Sequence, residues 1–241
     1  MALVEVHQLT KSFGGLVAND RISFTVDAGM IMGIIGPNGF GKTTLFNCVS
    51  GFYAPSAGRV LLDGHDIAGY PPHRICRLGL ARTFQIAEIF TRMTVLENAM
   101  VGAFKRDKRL GPAKEMAMAS LGLVGLSSQA TAPSKRLSPP ERRKLSLAMA
   151  LATDPRVLLL DETMAGLLPE EIAEILDLIR RIQQGGMTIL LIEHVMDAML
   201  NIAERIVVLE AGKVIAIGGP EEVSNNDRVI TAYLGAGYRH A

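Results

Sequence analysis

Tryptophan is absent from this chain, and aromatic residues make up only 5% of it. Platforms on which the bases of a nucleic-acid strand could stack are therefore not expected. An excess of one charge is also missing: 25 Lys and Arg against 24 Asp and Glu leave a net charge of +1. So balanced a chain carries no electrostatic footprint for nucleic acid, and none is expected as a partner. Only two cysteines occur, Cys48 and Cys76. They stand far apart without CxxC spacing, which argues against a disulfide and against zinc. Cys48 reads as a small buried residue. No apolar run reaches the length that spans a bilayer. The opening residues Met1–Val6 include Glu5 and lack the basic-then-apolar order of a secretory signal. These absences point to a cytosolic protein, for which any membrane role must come through a partner.

What is present is a hydrophobic chain of 241 residues, 49% apolar, enough for one large or two small domains. Its most informative stretch is Gly36-Pro37-Asn38-Gly39-Phe40-Gly41-Lys42-Thr43-Thr44. This is the pattern G-x-x-x-x-G-K-[ST], with Gly36, Gly41, Lys42 and Thr43 in place. Ile31–Ile35 reads as a buried strand entering the glycines, and Thr43–Ser50 as a helix leaving them. Successive backbone N–H groups in such a turn form an anion cradle, and the helix N-terminus adds its dipole. Lys42 is placed to reach the β- and γ-phosphates of a nucleoside triphosphate, and Thr43 to ligate Mg²⁺. ATP and Mg²⁺ are the cofactors expected, with Asn38, Gly39, Gly41, Lys42, Thr43 and Thr44 as the contacting residues.

Further short apolar runs read as strands: Val4–Leu9, Ile22–Val26, Val60–Leu62, Val157–Leu160, Thr188–Ile192, Ile206–Leu209 and Val214–Ile217. Those at Ile31, Val157 and Thr188 lack polar alternation, as in a parallel sheet covered on both faces. Glu170–Gln184 carries Ile172, Ile175, Leu176, Ile179 and Ile182 at helical spacing, between Pro169 and Gly185-Gly186. Residues 86–136 are rich in Met, Ala and Leu, with Thr94–Phe104 and Ala113–Leu123 reading as helices. They look like a helical insertion in an α/β core. Lys105–Arg109 reads as a solvated basic loop.

Val157–Leu160 runs straight into Asp161 and Glu162. Asp161 emerges where a P-loop fold holds Mg²⁺. Glu162, one residue further along the strand, is expected on its opposite side, as a carboxylate that can take a proton from attacking water. His194 follows Thr188–Ile192 and Glu193, at the strand end where open α/β sheets bind ligands. Its imidazole is placed to bond a γ-phosphate.

Taken in order, the P-loop, Gln85 at the end of Ala81-Arg82-Thr83-Phe84-Gln85, Leu137–Glu141, Asp161-Glu162 and His194 make a specific set. The chain resembles the ATP-binding subunits of ABC transporters over essentially its whole length. Within that family it is most similar to the importer subunits for branched-chain amino acids. Phe13-Gly14-Gly15-Leu16-Val17-Ala18, Phe46-Asn47-Cys48, Gly51-Phe52-Tyr53, Arg82-Thr83-Phe84-Gln85, Met93–Asn98 and Tyr233-Leu234-Gly235 carry that likeness. The resemblance implies a single ABC ATPase domain over 1–241. Its core, 1–85 and 137–241, would be an α/β P-loop NTPase fold with a mainly parallel sheet and an antiparallel β subdomain. Residues 86–136 would be the helical subdomain. It also implies that Phe13 stacks on adenine, that Gln85 couples Mg²⁺ or water to the helical subdomain, and that Thr43, Gln85 and Asp161 serve the metal. Glu162, His194 and Gln85 become the catalytic group, and Ser138 joins the nucleotide contacts. The implied assembly is a dimer with a second ATP-binding subunit, two ATP molecules lying between each P-loop and the opposing signature. The implied partners are membrane permease subunits at the cytoplasmic face of the membrane, and through them a solute-binding protein.

The chain departs from the family at the signature itself. Leu-Ser-Gly-Gly-Gln becomes Leu137-Ser138-Pro139-Pro140-Glu141. Ser138 can still cap a helix with Glu141 as a capping box, and proline is tolerated in a first turn, so a helix over Glu141–Leu151 is expected. The two prolines nevertheless remove N–H donors and add rings where a phosphate would lie. Phe40, Thr163 and Leu168 also stand where the family has a small residue, proline and Asn or Asp. Two other readings follow: a hydrolysis-impaired regulatory half of a heterodimer, or a soluble ABC ATPase unconnected with transport.

Overall fold

The structure, a computed structural model, describes residues 1–83 and 89–234. In chain order the elements are β1 (Ala2–Phe13), β2 (Leu16–Asp27), β3 (Ile31–Ile35), α1 (Lys42–Val49), β4 (Ala57–Leu62), β5 (His65–Asp66) and α2 (Pro72–Arg77). Then come β6 (Leu80–Arg82), α3 (Val95–Ala103), α4 (Leu110–Leu123), α5 (Pro139–Leu151), β7 (Val157–Asp161) and α6 (Pro169–Gln184). The chain finishes with β8 (Thr188–Ile192), α7 (Met196–Ile202), β9 (Arg205–Glu210), β10 (Lys213–Gly218), α8 (Pro220–Ser224) and α9 (Asp227–Leu234). Two units emerge: one from Met1–Ile75 and the residues from Thr188 onward, the other from Cys76–Met187.

In the first unit, β1 and β2 pair antiparallel, and β4 and β5 continue that sheet in the order β2-β1-β4-β5. Val4, Val6 and Leu9 pair with Val26, Phe24 and Ile22, and all six are buried. The remaining strands centre on β3, which lies parallel to both β8 and β9, with β10 antiparallel on the outside of β9. Every residue of β3 and β8 is buried, as strands without polar alternation are in a parallel sheet, and the one polar member, Thr188, accepts from the Gly29 N–H. Gly33 lets α7 approach β3 closely: a Cβ there would stand 2.3 Å from the Met199 sulfur and 3.2 Å from the Ala203 Cβ.

In the second unit, β6 and β7 pair parallel, with Leu80 opposite Val157 and Arg82 opposite Leu159. The helices α3, α4 and α5 pack through small residues, with Ala103, Ala113 and Ala152 forming a buried cluster under Met100 and Met116. Thr94 and Glu97 exchange the two bonds of a capping box at the start of α3. The basic loop turns out to be locally paired. Lys105 donates to the Thr153 carbonyl, Arg106 meets Asp154, and Arg109 meets Asp107.

The strands read from the sequence are present; β3 and β8 match to the residue. The short β5 and β6, and the helices α2, α7, α8 and α9, are additional. Among the described residues no helix is long and apolar enough to cross a membrane. The architecture is the expected α/β P-loop core with an antiparallel β subdomain and a helical part.

Candidate nucleotide site

In the first unit, β3 ends at Ile35 and the loop to α1 runs through Gly36, Gly39 and Gly41, all with positive φ. Gly41 is required twice over. Its φ is +90°, and a Cβ would lie 2.3 Å from the Ala18 carbonyl oxygen and 2.5 Å from the Asn19 amide nitrogen. Lys42 opens α1 almost fully buried. Its ammonium donates to the carbonyls of Gly36 at 2.6 Å and Pro37 at 3.0 Å, so the side chain arches over its own loop. Asn38, Gly39 and Thr43 are exposed, and Thr44 is half-buried. No side chain caps α1, and no acid stands in its first turn. The positive end of the helix is thus kept for an outside anion.

Sequence reasoning missed the residue that holds this loop in place. Asn19 on β2 is completely buried, and its Nδ2 donates to the Gly41 carbonyl at 3.0 Å. Asn19 pairs with Lys11 across the hairpin, and past a register shift β1 ends at Phe13 opposite Leu16. The only available signal was a polar residue within a strand. His194 is exposed just past β8, next to the buried Glu193. Cys48 is buried in α1 as expected, and burial pushes its thiol up to about 11.

In the second unit, Asp161 ends β7 with its side chain 4% exposed, and one oxygen accepts from Arg82 Nη2 at 2.7 Å. Arg82 is itself 6% exposed, so this is a buried, charge-assisted pair. The sequence had marked Arg82 only as part of a family resemblance. Parallel pairing of the three-residue β6 with β7 brings it to Asp161. Glu162 corrects an expectation. The strand stops at Asp161 and Glu162 has φ +49°, so left-handed backbone rather than strand alternation aims its carboxylate. The turn that follows is held from α5: an Arg143 guanidinium donates to the Ala165 carbonyl.

Ser138 is the N-cap of α5, which begins at Pro139, two residues before the expected start. Both prolines sit in the first turn, where a missing N–H does least harm to a helix. Glu141 accepts from the Ser138 N–H and hydroxyl, each at 2.8 Å, and from Gln129 Nε2. These donors, Gln129 foremost, hold its carboxyl below the usual range. Leu168 is the N-cap of α6, 67% exposed, and its N–H donates to Glu171. Gln85 lies outside the described residues.

A strand, a glycine loop with an embedded lysine and an uncapped helix define a P-loop nucleotide-binding protein. The family model for the ABC transporter matches residues 19–165, and that for the branched-chain amino acid ATP-binding cassette transporter matches 213–239. The high-affinity branched-chain amino acid transport ATP-binding protein BraF of Pseudomonas aeruginosa is 39% identical over 97% of this chain and 98% of its own. LivG of Escherichia coli, described in the same words, is 38% identical over the same shares. A crystal structure of an ATP-binding cassette of an ABC transporter, in its ADP conformation, superposes with a TM-score of 0.87 at 29% identity, covering 98% of this chain and 99% of that one. The chain belongs to the ABC transporter family as an ATP-binding subunit, and it is an ATPase.

Proposed function

We propose that this subunit drives uptake of branched-chain amino acids, the cargo in the names of its relatives BraF and LivG. The observation that carries the nucleotide chemistry is the start of α1: an uncapped, acid-free helix end under a lysine already bent over the loop. ATP lays its phosphates in that cradle. Lys42 moves from the carbonyls of Gly36 and Pro37 to the β- and γ-phosphates, exchanging neutral acceptors for charged ones. Phe13 stacks on adenine, and His194 donates to the γ-phosphate. Glu162 takes the proton of the attacking water.

Hard oxygen donors are the right set for Mg²⁺, which keeps most of its water and takes one or two carboxylates beside substrate phosphates. The Thr43 hydroxyl and the Asp161 carboxylate fit that description, with Gln85 as a third contact. No group of three or more acidic, His or Cys side chains competes as a metal cage among the described residues. When bound, the ion neutralises charge that builds on the phosphates.

In this reading the chain works as a dimer with a second ATP-binding subunit, on the cytoplasmic face of the membrane, against permease subunits served by a solute-binding protein. Residues 86–136 act as the helical subdomain within one ABC ATPase domain. Ser138 faces the partner's nucleotide. Pro139 and Pro140 weaken that contact, so a pair of identical chains turns over slowly and a partner with an intact signature restores rate on this chain's P-loop.

Calorimetric titration with ATP and assay of phosphate release test the site together. Lys42→Ala is expected to lose most ATP affinity. Glu162→Gln is expected to keep ATP affinity and lose turnover on the order of 10²-fold or more. Unchanged ATP binding in Lys42→Ala, or wild-type turnover in Glu162→Gln, would remove the corresponding role.

A further inference from the structure

Lys11, Phe13 and Tyr53 make a cluster of which the nucleotide reading uses only Phe13. Two large rings stand in solvent here, Phe13 43% and Tyr53 39% exposed. They meet edge to face, with centroids 5.3 Å apart and planes at 79°. The Lys11 ammonium lies 4.9 Å from the Phe13 centroid and 5.6 Å from that of Tyr53. It is anchored there by donating to the Ala54 carbonyl at 2.9 Å.

Two routes tie this cluster to the phosphate loop inside one unit. Across the β1–β2 hairpin, Lys11 pairs with Asn19, whose amide holds the Gly41 carbonyl at 3.0 Å. On the other side, the Tyr53 N–H donates to the carbonyl of Asn47 in α1 at 3.0 Å, so the backbone that carries the ring is tied to the helix that starts at the P-loop. The segment between is stitched to β1 by Ser56 N–H to the Thr10 carbonyl and Ser12 N–H to the Ser56 hydroxyl.

A lone exposed phenylalanine samples several rotamers, and ordering it on ligand binding costs affinity. Here the edge of a second ring and a fixed cation restrict it in advance. Cation contact also draws electron density from the ring and favours stacking with an electron-rich base. We propose that Lys11 and Tyr53 are positioning residues for the nucleotide base: they hold the Phe13 ring as a platform for the purine of the triphosphate in the P-loop, and so make affinity depend on the base. This rests on the reading that Phe13 stacks on adenine.

The test titrates the full chain with ATP and with inorganic tripolyphosphate, which offers the phosphates without a base. Tyr53→Ala is expected to weaken ATP binding about tenfold and tripolyphosphate binding less than about twofold. Lys11→Met follows in the same direction with about threefold on ATP alone. Tyr53→Phe keeps the ring edge and retains wild-type ATP affinity. Phe13→Ala separates the two readings. If it leaves ATP affinity unchanged, the stacking reading fails and this proposal with it. If Phe13→Ala weakens ATP binding while Tyr53→Ala and Lys11→Met do not, stacking stands and the positioning role is overturned. Equal losses on ATP and tripolyphosphate in Tyr53→Ala would also overturn it, since a general disturbance of the fold does not distinguish the base.

Discussion

The proposed function sets two helix starts of this chain against phosphate, and their first turns are built in opposite ways. α1 starts at Gly41 in left-handed backbone, with no side-chain cap and no acid in the first turn. α5 starts at Ser138 with two prolines and Glu141 in its first turn, and that carboxylate is already bonded to Ser138 and Gln129. The first helix keeps its positive end clear of any side-chain cap or acid. In the second, two N–H groups are missing and a resident anion occupies the end of the dipole. The same contrast runs through the side chains around each segment. Lys42 donates to the neutral carbonyls of Gly36 and Pro37, whereas Asp161 and Glu141 are engaged by Arg82 and Gln129. A helix start with neither a side-chain cap nor a resident acid presents its positive end to an anion.

The strongest way to disturb this contrast is at the buried pair. Arg82→Met takes the guanidinium from a carboxylate that stays buried, and removing one partner of such a pair costs about 3 kcal/mol or more. Urea unfolding followed by circular dichroism is expected to show the loss. A change below about 1 kcal/mol would mean that Asp161 is satisfied without Arg82.

Next in size is conversion of the second helix start toward the first. Pro139→Gly together with Pro140→Gly returns two N–H groups. One preorganised donor to developing charge is typically worth about 10²–10³ in rate. Turnover of the chain alone should therefore rise on the order of 10²-fold, with ATP affinity at its own P-loop nearly unchanged. Protein concentration must be held constant, because association sets the active fraction. If the wild type already hydrolyses as fast as the double-glycine variant, the prolines do not weaken the signature.

The smallest effect concerns the resident anion. Glu141 has its carboxyl lowered in the folded chain from an ordinary value of 4.5, by Gln129 first and then by Ser138. Its contribution is therefore full above pH 4.5 and is lost as pH falls through the lowered folded value. Glu141→Ala should cost about 1 kcal/mol at neutral pH, as loss of a helix cap does. The gap from wild type should close in acid. Thermal melts between pH 3 and pH 7, approximate limits chosen to bracket the ordinary carboxylate range, check this. A gap that persists unchanged at the acid end would mean the carboxylate's charge is not what stabilises the turn.

Much of this was legible in residue order. The P-loop needs only a contiguous strand, loop and helix, so Gly36–Thr44 carried its own context. Ile31–Ile35 and Thr188–Ile192 were readable to the residue because runs without polar alternation stop at Gly36 and at Glu193 and follow the turn glycines Gly29 and Gly186 closely. Ser138 could be read as a cap because capping is a contact between near neighbours. β6 was not legible, since three residues carry no periodicity. Nor was the Arg82–Asp161 pair, since its members are 79 positions apart.

By itself, the sequence determined the local chemistry: where the P-loop lies, which helix start lacks donors, and which family the ordered motifs belong to. Those features depend on backbone conformations and bonds within a few residues. Tertiary structure decided what each reactive group touches. It buried Asn19 beneath Gly41, brought Arg82 to Asp161, turned Glu162 through left-handed backbone, and stood Tyr53 against Phe13. Each depends on packing between segments distant in the chain, or on a turn that packing holds. Burial then decides how much those contacts matter, because a polar or charged group removed from water needs a partner that residue order alone does not name.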